Sequence, residues 1–320
     1  MKKILSLILV LTLALLAVCS CGSEPTVDNV QIKIGVMNGP TGMGMAKLIS
    51  DNKDNDEKYS FSPYSSPTDA TAALANGELD MLCVPTNLAA NLANKQADYI
   101  TVAAINCLGS LYLLTDGSVE INSIDDLAGK TITYGEPTST TGPIIKYLLS
   151  KNNIEAEFAV ENTNEIVSSK MVSGEASIVI LPEPKATAAI NEAKKNGNEY
   201  SVSLNLSTEW SSVSGEDTPL TMGCIIVSNT FVAEHSNALD SFLEEYKSSI
   251  EYIGNSENHD TAAQMIVDAG VLPQLPVAKS ALTNLYGSIV YMDGADMKNA
   301  LKAFYAAIGL TSPSDSFFYD

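Results

Sequence analysis

An internal repeat constrains this chain more than any other feature of its sequence. Gly77, Glu78 and Pro85 recur as Gly174, Glu175 and Pro182, each 97 positions later, and Ala89 recurs as Ala186 at the same spacing. Gly35, Thr41 and Gly42 recur as Gly135, Thr141 and Gly142, each 100 positions later. The order of elements repeats with them. In the first half the strand pattern QIKIGV leads through MNGPTG into the helix MGMAKLIS. The helix SSPTDATAALANG, the strand ELDMLCV, the loop PTN and the helix LAANLAN follow. In the second half KTITYG leads through EPTSTTG into PIIKYLLSKNN, and then come VSSKMVSG, the strand EASIVIL, the loop PEP and the helix KATAAINEAKK. Strands alternating with helices, in a unit used twice, predict an α/β chain with two largely parallel sheets. Local signals agree with this reading. Ser66 stands as an N-cap with Pro67 at the first helical position and Asp69 three residues on, and Gly77 closes that helix.

In open α/β sheets the ligand crevice lies beyond the carboxyl ends of the strands. The loops after these strands are therefore the candidate binding loops, and two sheets facing each other make a cleft lined from both sides. The first half offers Asn38, Thr41, Gly42, Ser65, Ser66, Thr86 and Asn87, and the second offers Thr138, Ser139, Thr140, Thr141 and Glu183. Thr41, Ser66 and Thr141 also stand where helices begin. Capping and ligand binding are compatible there, because the same helix ends present free N–H groups. Glu183, just before Pro184, is either an N-cap or a ligand contact. Trp210, the sole Trp, lies in the polar stretch STEWSSVSGED and is either a small satellite core or a cleft wall for a flat ligand.

The last third lacks the repeat and reads as mostly helical after one strand. The economical arrangement returns the chain to the first lobe at about residues 219–227. That gives a first lobe of 31–116 and 219–320, a second lobe of 117–218, and crossings near residues 115–118 and 215–221. Two crossings make a hinge. A chain of 320 residues with 45% hydrophobic and 18% charged residues has the apolar mass for two such lobes and is not a disordered chain.

Charge limits the partners. The 18 basic residues are all Lys, against 38 acidic residues, for a net charge of −20. Such a surface repels a phosphate backbone, so no nucleic-acid partner is expected. With no Arg in the chain, no guanidinium is present to clamp carboxylate, sulfonate or phosphate in bidentate fashion.

The N-terminus reads as an address. Lys2 and Lys3 precede an almost unbroken apolar stretch over residues 4–18, too short to span a bilayer comfortably. Cys21 follows Val18, Cys19 and Ser20, with a branched apolar residue at −3 and a small one at −1, whereas Cys19 would have the bulkier Val18 at −1. Residues 1–20 are thus expected to be a leader and 21–30 a polar tether. Removing the leader takes away two Lys and no acid, leaving 16 Lys against 38 acids, or −22. Cys83, Cys107 and Cys224 remain, each in an apolar run without CxxC spacing, and are expected to be buried free thiols.

Other chemistries find little support. His235 and His259 lie in polar stretches of the tail, outside any candidate cleft loop. The run DNKDNDE over residues 51–57 lacks the glycine and terminal acid of a calcium loop. Gly42, Met43 and Gly44 are followed by Lys47 where a dinucleotide fingerprint needs its third glycine, and no Lys-Ser/Thr pair completes a P-loop. No metal and no cofactor are expected.

The sequence around Cys21 resembles a bacterial lipobox, which implies acylation of Cys21 as the first mature residue. The stretches IGVMNGPTGMGMAKL, AALANGELDMLCVPTNLAANL, SIDDLAGKTITYGEPTSTTG and SGEASIVILPEPKATAAI resemble the solute-binding proteins of ABC importers. The branch is the one that takes nitrate, sulfonates, taurine and thiamine-pyrimidine precursors. The resemblance implies a periplasmic-binding-protein-like fold of type II, with two α/β lobes, a two-segment hinge and the ligand between them. It implies a monomeric, lipid-anchored, extracytoplasmic protein that passes a small organic or anionic solute to an ABC permease and its ATPase, without catalysis. A neutral, zwitterionic or heterocyclic solute suits the charge. Two other outputs stand beside this one: a pyrimidine-precursor enzyme on the same fold, and a ligand-presenting partner of a membrane sensor.

Overall fold

The computed structural model describes residues 30–55, 57–215 and 218–319. The leader, Cys19, Cys21 and nearly all of the tether lie outside the described residues.

The first half opens with β1 (Ile32–Met37), α1 (Pro40–Met43), α2 (Ala46–Asp51), β2 (Tyr59–Tyr64) and α3 (Pro67–Ala75). It continues with β3 (Met81–Pro85), α4 (Thr86–Lys95) and β4 (Ile100–Leu108). The middle of the chain forms β5 (Leu111–Thr115), a 3₁₀ turn (Ile124–Leu127), β6 (Thr131–Gly135), α5 (Thr141–Lys151) and β7 (Glu157–Glu161). After these come α6 (Asn164–Ser173), β8 (Ile178–Pro182), α7 (Lys185–Lys195), β9 (Ser201–Asn205) and α8 (Leu206–Ser214). The tail consists of β10 (Thr221–Ser228), α9 (Asn229–Glu234), α10 (Ser236–Gly254), α11 (His259–Asp268), α12 (Leu275–Asn284), β11 (Ile289–Met292) and α13 (Gly294–Ala307).

Two sheets result, with strand orders β11-β4-β10-β3-β1-β2 and β7-β6-β8-β5-β9. In the first, β1 runs parallel to β2 and β3, while β10 is antiparallel to β3 and β4. In the second, β6 runs parallel to β7 and β8, while β5 is antiparallel to β8 and β9. The plan is the same in both. Read from one edge, β2-β1-β3-β10-β4 corresponds to β7-β6-β8-β5-β9, and in each sheet the antiparallel strand belongs to a segment that crosses from the other sheet.

The repeated residues have matching structural reasons. Gly77 and Gly174 both end helices in the left-handed region, at φ 72° and 77°. The N–H of the following Glu78 or Glu175 reaches back to the carbonyl of Ala73 or Lys170, at 2.9 and 2.8 Å. Gly42 and Gly142 let helix starts press onto strand ends. A Cβ at Gly42 would lie 2.0 Å from the Met37 carbonyl oxygen, and one at Gly142 would lie 2.7 Å from the Tyr134 hydroxyl. The strands between these points, Met81–Pro85 and Ile178–Pro182, are buried at every position but the terminal proline.

The sequence places the first crossing near residues 115–118. In the structure it falls at Gly109 and Ser110, whose φ values of 62° and 75° swing the chain from β4 into β5. The whole of β5 thus belongs to the second sheet, because LYLLT finds its antiparallel partners in β8 and β9. The second crossing lies beside the first: the Gly109 N–H donates to the Leu220 carbonyl at 2.8 Å. The polar stretch around Trp210 is the helix α8, capped by the Asn205 side chain accepting the Ser207 N–H at 2.9 Å. The tail also adds a second, short strand, β11, to the first sheet.

Candidate functional site

The carboxyl ends of β1, β3 and β4 and the beginning of β10 converge on one edge of the first sheet. Thr86, the first residue of α4, donates its hydroxyl to the Thr221 carbonyl at 3.0 Å, and its own carbonyl accepts the Tyr305 hydroxyl at 3.0 Å. Asn106, near the end of β4, donates its amide to the Thr41 carbonyl at 3.1 Å and to the Tyr246 hydroxyl at 3.0 Å. Gly223 makes that approach possible, since a Cβ there would sit 2.4 Å from Thr41 Cγ2 and 2.5 Å from Asn106 Oδ1.

From the other sheet, the loop between β6 and α5 meets this edge. Asn87 donates its side-chain amide to the Thr138 carbonyl at 2.8 Å. The Thr140 hydroxyl lies 3.7 Å from Met222 Sδ, and Ser139 Oγ accepts the Thr141 N–H at 3.3 Å. Thr86, Asn87, Thr140 and Thr141 are all buried. The residues read from the two halves of the sequence therefore come together here: Thr41, Thr86 and Asn87 on one side, Thr138, Ser139, Thr140 and Thr141 on the other. Gly42 is buried beneath Thr41, and Asn38 and Ser65 lie exposed at the rim.

Three expected positions are otherwise engaged. Ser66 is the cap of α3, its hydroxyl accepting the Asp69 N–H at 3.3 Å. Glu183 is only 3% exposed. Its carboxylate accepts the Thr187 hydroxyl at 2.8 Å, the Thr187 N–H at 3.3 Å and the Asn284 amide at 2.9 Å. It lines a depression of about 300 Å³ together with Tyr112, Thr187 and Asn284. Trp210 is a correction. It is fully buried, its Nε1 donates to the Thr218 carbonyl at 2.7 Å, and its ring lies between Tyr147 and Phe304 at 4.7 and 5.5 Å. With both its face and its polar atom spent inside the protein, it is core and not a ligand wall.

Sequence reasoning missed Asn106, Thr221, Met222 and Asn284. For Asn106 a signal was present: it is the polar residue toward the end of the apolar strand ITVAAINCL, and such a residue needs a buried partner. Asn284 carried none, being one more polar residue at a helix end. Electrostatically, the strand ends of the second sheet are acidic. Burial, and then the neighbouring Glu165, push the Glu136 carboxyl up, against the Asn164 amide that donates to it at 2.9 Å. Burial likewise pushes the Cys83 and Cys107 thiols up to about 12 and Cys224 up as well, and all three are free. Among the described residues no group of three or more His, Cys, Asp or Glu is placed to hold a metal ion. Among them, too, no helix is long and apolar enough to cross a membrane.

Residues 52–181 match the family model of the ABC-transporter phosphonate periplasmic substrate-binding protein. No curated protein matches the chain by sequence. Among solved structures, an ABC transporter protein from Parabacteroides distasonis is 18% identical with a TM-score of 0.71, over 91% of this chain and 99% of that one. The periplasmic aliphatic sulphonate-binding protein SsuA from Escherichia coli is 13% identical with a TM-score of 0.69, over 91% and 92%. The nitrate-binding protein NrtA from Synechocystis PCC 6803 is 12% identical with a TM-score of 0.60, over 84% and 75%.

The fold is the two-lobed periplasmic-binding-protein architecture of type II, and over residues 52–181 the chain is similar to the substrate-binding components of ABC importers. Within that class the fold is the one shared by the sulfonate- and nitrate-binding branch.

Proposed function

We propose that the chain is an extracytoplasmic solute-binding lipoprotein, anchored through Cys21, that captures a small solute by hinge closure and delivers it to an ABC permease and its ATPase. One observation carries this reading: the Asn87 amide on the Thr138 carbonyl, a direct bond between strand-end loops of the two sheets, 51 residues apart in sequence. The two lobes are the halves built on the two sheets, and the paired crossings at Gly109 and Leu220 are the hinge. A ligand touching both lobes binds the closed form better than the open one, so it shifts the hinge equilibrium toward closure by its differential affinity. No bond is made or broken. The ligand-facing set is Asn38, Thr41, Gly42, Ser65, Thr86, Asn87, Thr138, Ser139, Thr140 and Thr141, working through hydroxyls, amides and helix-end N–H groups. The protein acts as a monomer.

Three measurements test this. Small-angle scattering should show compaction when a ligand binds. Trp210, wedged between Tyr147 of the second lobe and Phe304 of α13, should change its emission at the same ligand concentration. Thr86→Val in one lobe and Thr140→Val in the other should each weaken binding by about two- to tenfold. Binding without compaction, or sensitive to one lobe only, would defeat the clamp. For the anchor, Cys21→Ser should release folded protein into the medium. Retention that depends on Cys19 would move the lipidation site there.

A further inference from the structure

We propose that the cleft selects against anions and takes a small uncharged or cationic solute that presents an N–H or O–H donor to Asn87 Oδ1 and hydrogen-bonds the Thr221 hydroxyl. The proposal rests on the solute-binding reading above and narrows it to a ligand class.

An Asn side chain has one donor end and one acceptor end. The Thr138 carbonyl can only accept, so the end of Asn87 that meets it at 2.8 Å is the NH₂ group. Oδ1 of the same amide therefore lies in the seam between the lobes as an acceptor. It is buried and has no partner among the described residues, although Asn87 as a whole is 7% exposed. Thr221 Oγ1 is a second unpartnered buried atom, a hydroxyl able to accept as well as donate, on a residue that is fully buried. The two residues share one sheet edge, since Thr86, which precedes Asn87 in the chain, donates to the Thr221 carbonyl. Asn106 Oδ1 is a third unpartnered buried atom at this sheet edge, its amide fixed in the same way by the Thr41 carbonyl.

Buried polar atoms without partners are costly, and native proteins keep few of them. Two of these three are pure acceptors, and what satisfies an acceptor is a donor. Nitrate offers no donor, and an alkanesulfonate or phosphonate turns mostly acceptor oxygens toward its site. Either would set oxygen against oxygen at Asn87. The surrounding charge points the same way. The chain has no Arg, the acids at the strand ends of the second sheet are Glu136, Glu161 and Glu183, and Lys170 and Lys185 are held by Glu161 and Glu165 at 2.6 and 2.7 Å.

The test uses the full protein in thermal-shift and scattering measurements against two probe sets and then a metabolite library. The donor-bearing set is urea, guanidinium, ethanolamine and cytosine. The contrasting set is nitrate, ethanesulfonate, methylphosphonate and glycine betaine, which is a zwitterion without donors. Saturable stabilisation with compaction by donor-bearing, non-anionic compounds alone is the expected result. If anions or betaine stabilise and compact the protein equally well, the ligand class is wrong while solute capture stands. If nothing stabilises or compacts it, solute capture fails and this proposal fails with it. For the tightest binder, Thr221→Val and Asn87→Leu should each lower affinity about tenfold. The ligand-free melting temperature of Thr221→Val should hold or rise, because an unsatisfied hydroxyl is removed. Unchanged affinity in Thr221→Val, which keeps the side-chain shape, would overturn the assignment even if Asn87→Leu failed to fold.

Discussion

Asn284 donates its side-chain amide to the Glu183 carboxylate at 2.9 Å and to the Thr187 hydroxyl at 2.7 Å. The bond joins the end of α12, in the tail that returns to the first sheet, to the start of α7 on the second. The Tyr112 hydroxyl, from β5, closes the same contact by donating to the Asn284 carbonyl at 3.0 Å. Glu183 is almost fully buried and receives Asn284 and Thr187 as its donors, so each of those hydrogen bonds helps to offset the cost of holding a carboxylate out of water. Asn284→Leu is expected to lower stability by about 1.5–3 kcal/mol, the range for a hydrogen bond to a charged group. The readout is a lower urea midpoint with unchanged slope. Adding Glu183→Gln to that variant should restore part of the loss, because the group left short of a donor is then neutral.

The pair Gly42 and Gly142 allows a graded packing test. A Cβ at Gly42 meets the main-chain oxygen of Met37, which cannot move aside, whereas at Gly142 it meets the end of the Tyr134 side chain. Gly42→Ala should therefore destabilise by about 1–3 kcal/mol, the usual range for overpacking, and Gly142→Ala by less. Thermal unfolding of the two variants side by side decides it; equal effects would mean that the Tyr134 ring is as fixed as the backbone.

All three body thiols should be inert in the native protein. Cys83, Cys107 and Cys224 are buried, and burial holds each in the protonated form at neutral pH. Alkylation at pH 8 should be negligible on the folded protein and should reach all three after denaturation. Native labelling of any one would place it nearer to solvent than the sheets allow.

Asp126 supplies a pH signature. Its carboxylate accepts the N–H groups of Asn122 and Ser123, both at 2.9 Å, and the Ser123 hydroxyl at 3.1 Å, which holds its pKa below the ordinary aspartate value. Because the folded value is the lower one, the stabilisation is present above the unfolded pKa and is lost as pH falls through the folded pKa. Asp126→Asn should therefore melt below the wild type at pH 7, and the two curves should converge in acid, where the native side chain is also neutral. A constant gap across the pH range would assign the effect to shape and not to charge.

Much of the architecture was legible because its causes are local. The Ser66 cap, the Gly77 and Gly174 helix ends and the fully apolar runs MLCV and IVIL each act within a few residues of sequence, and their recurrence predicted two sheets with binding loops at the strand ends. The place where the chain changes sheets was not legible. LYLLT reads as a strand wherever it lies, and only its pairing with β8 and β9 assigns it to the second sheet, six residues earlier than the sequence suggested for the crossing.

The side-chain chemistry divides in the same way. Composition alone established that no guanidinium is available and that the protein is strongly acidic, and residue type alone marked Thr86, Asn87 and Thr138 to Thr141 as hydrogen-bonding loop residues. Tertiary structure decided which of them meet. Trp210 became core because Phe304, 94 positions away, packs on its ring. Glu183 was engaged by Asn284, 101 positions away, and the Asn87 amide was turned by a carbonyl from the opposite lobe, which left its oxygen free. Propensities and caps are set by neighbours in the chain, whereas the partner of a buried polar atom is set by whatever the packing of distant segments brings within 3 Å, and no local pattern encodes that.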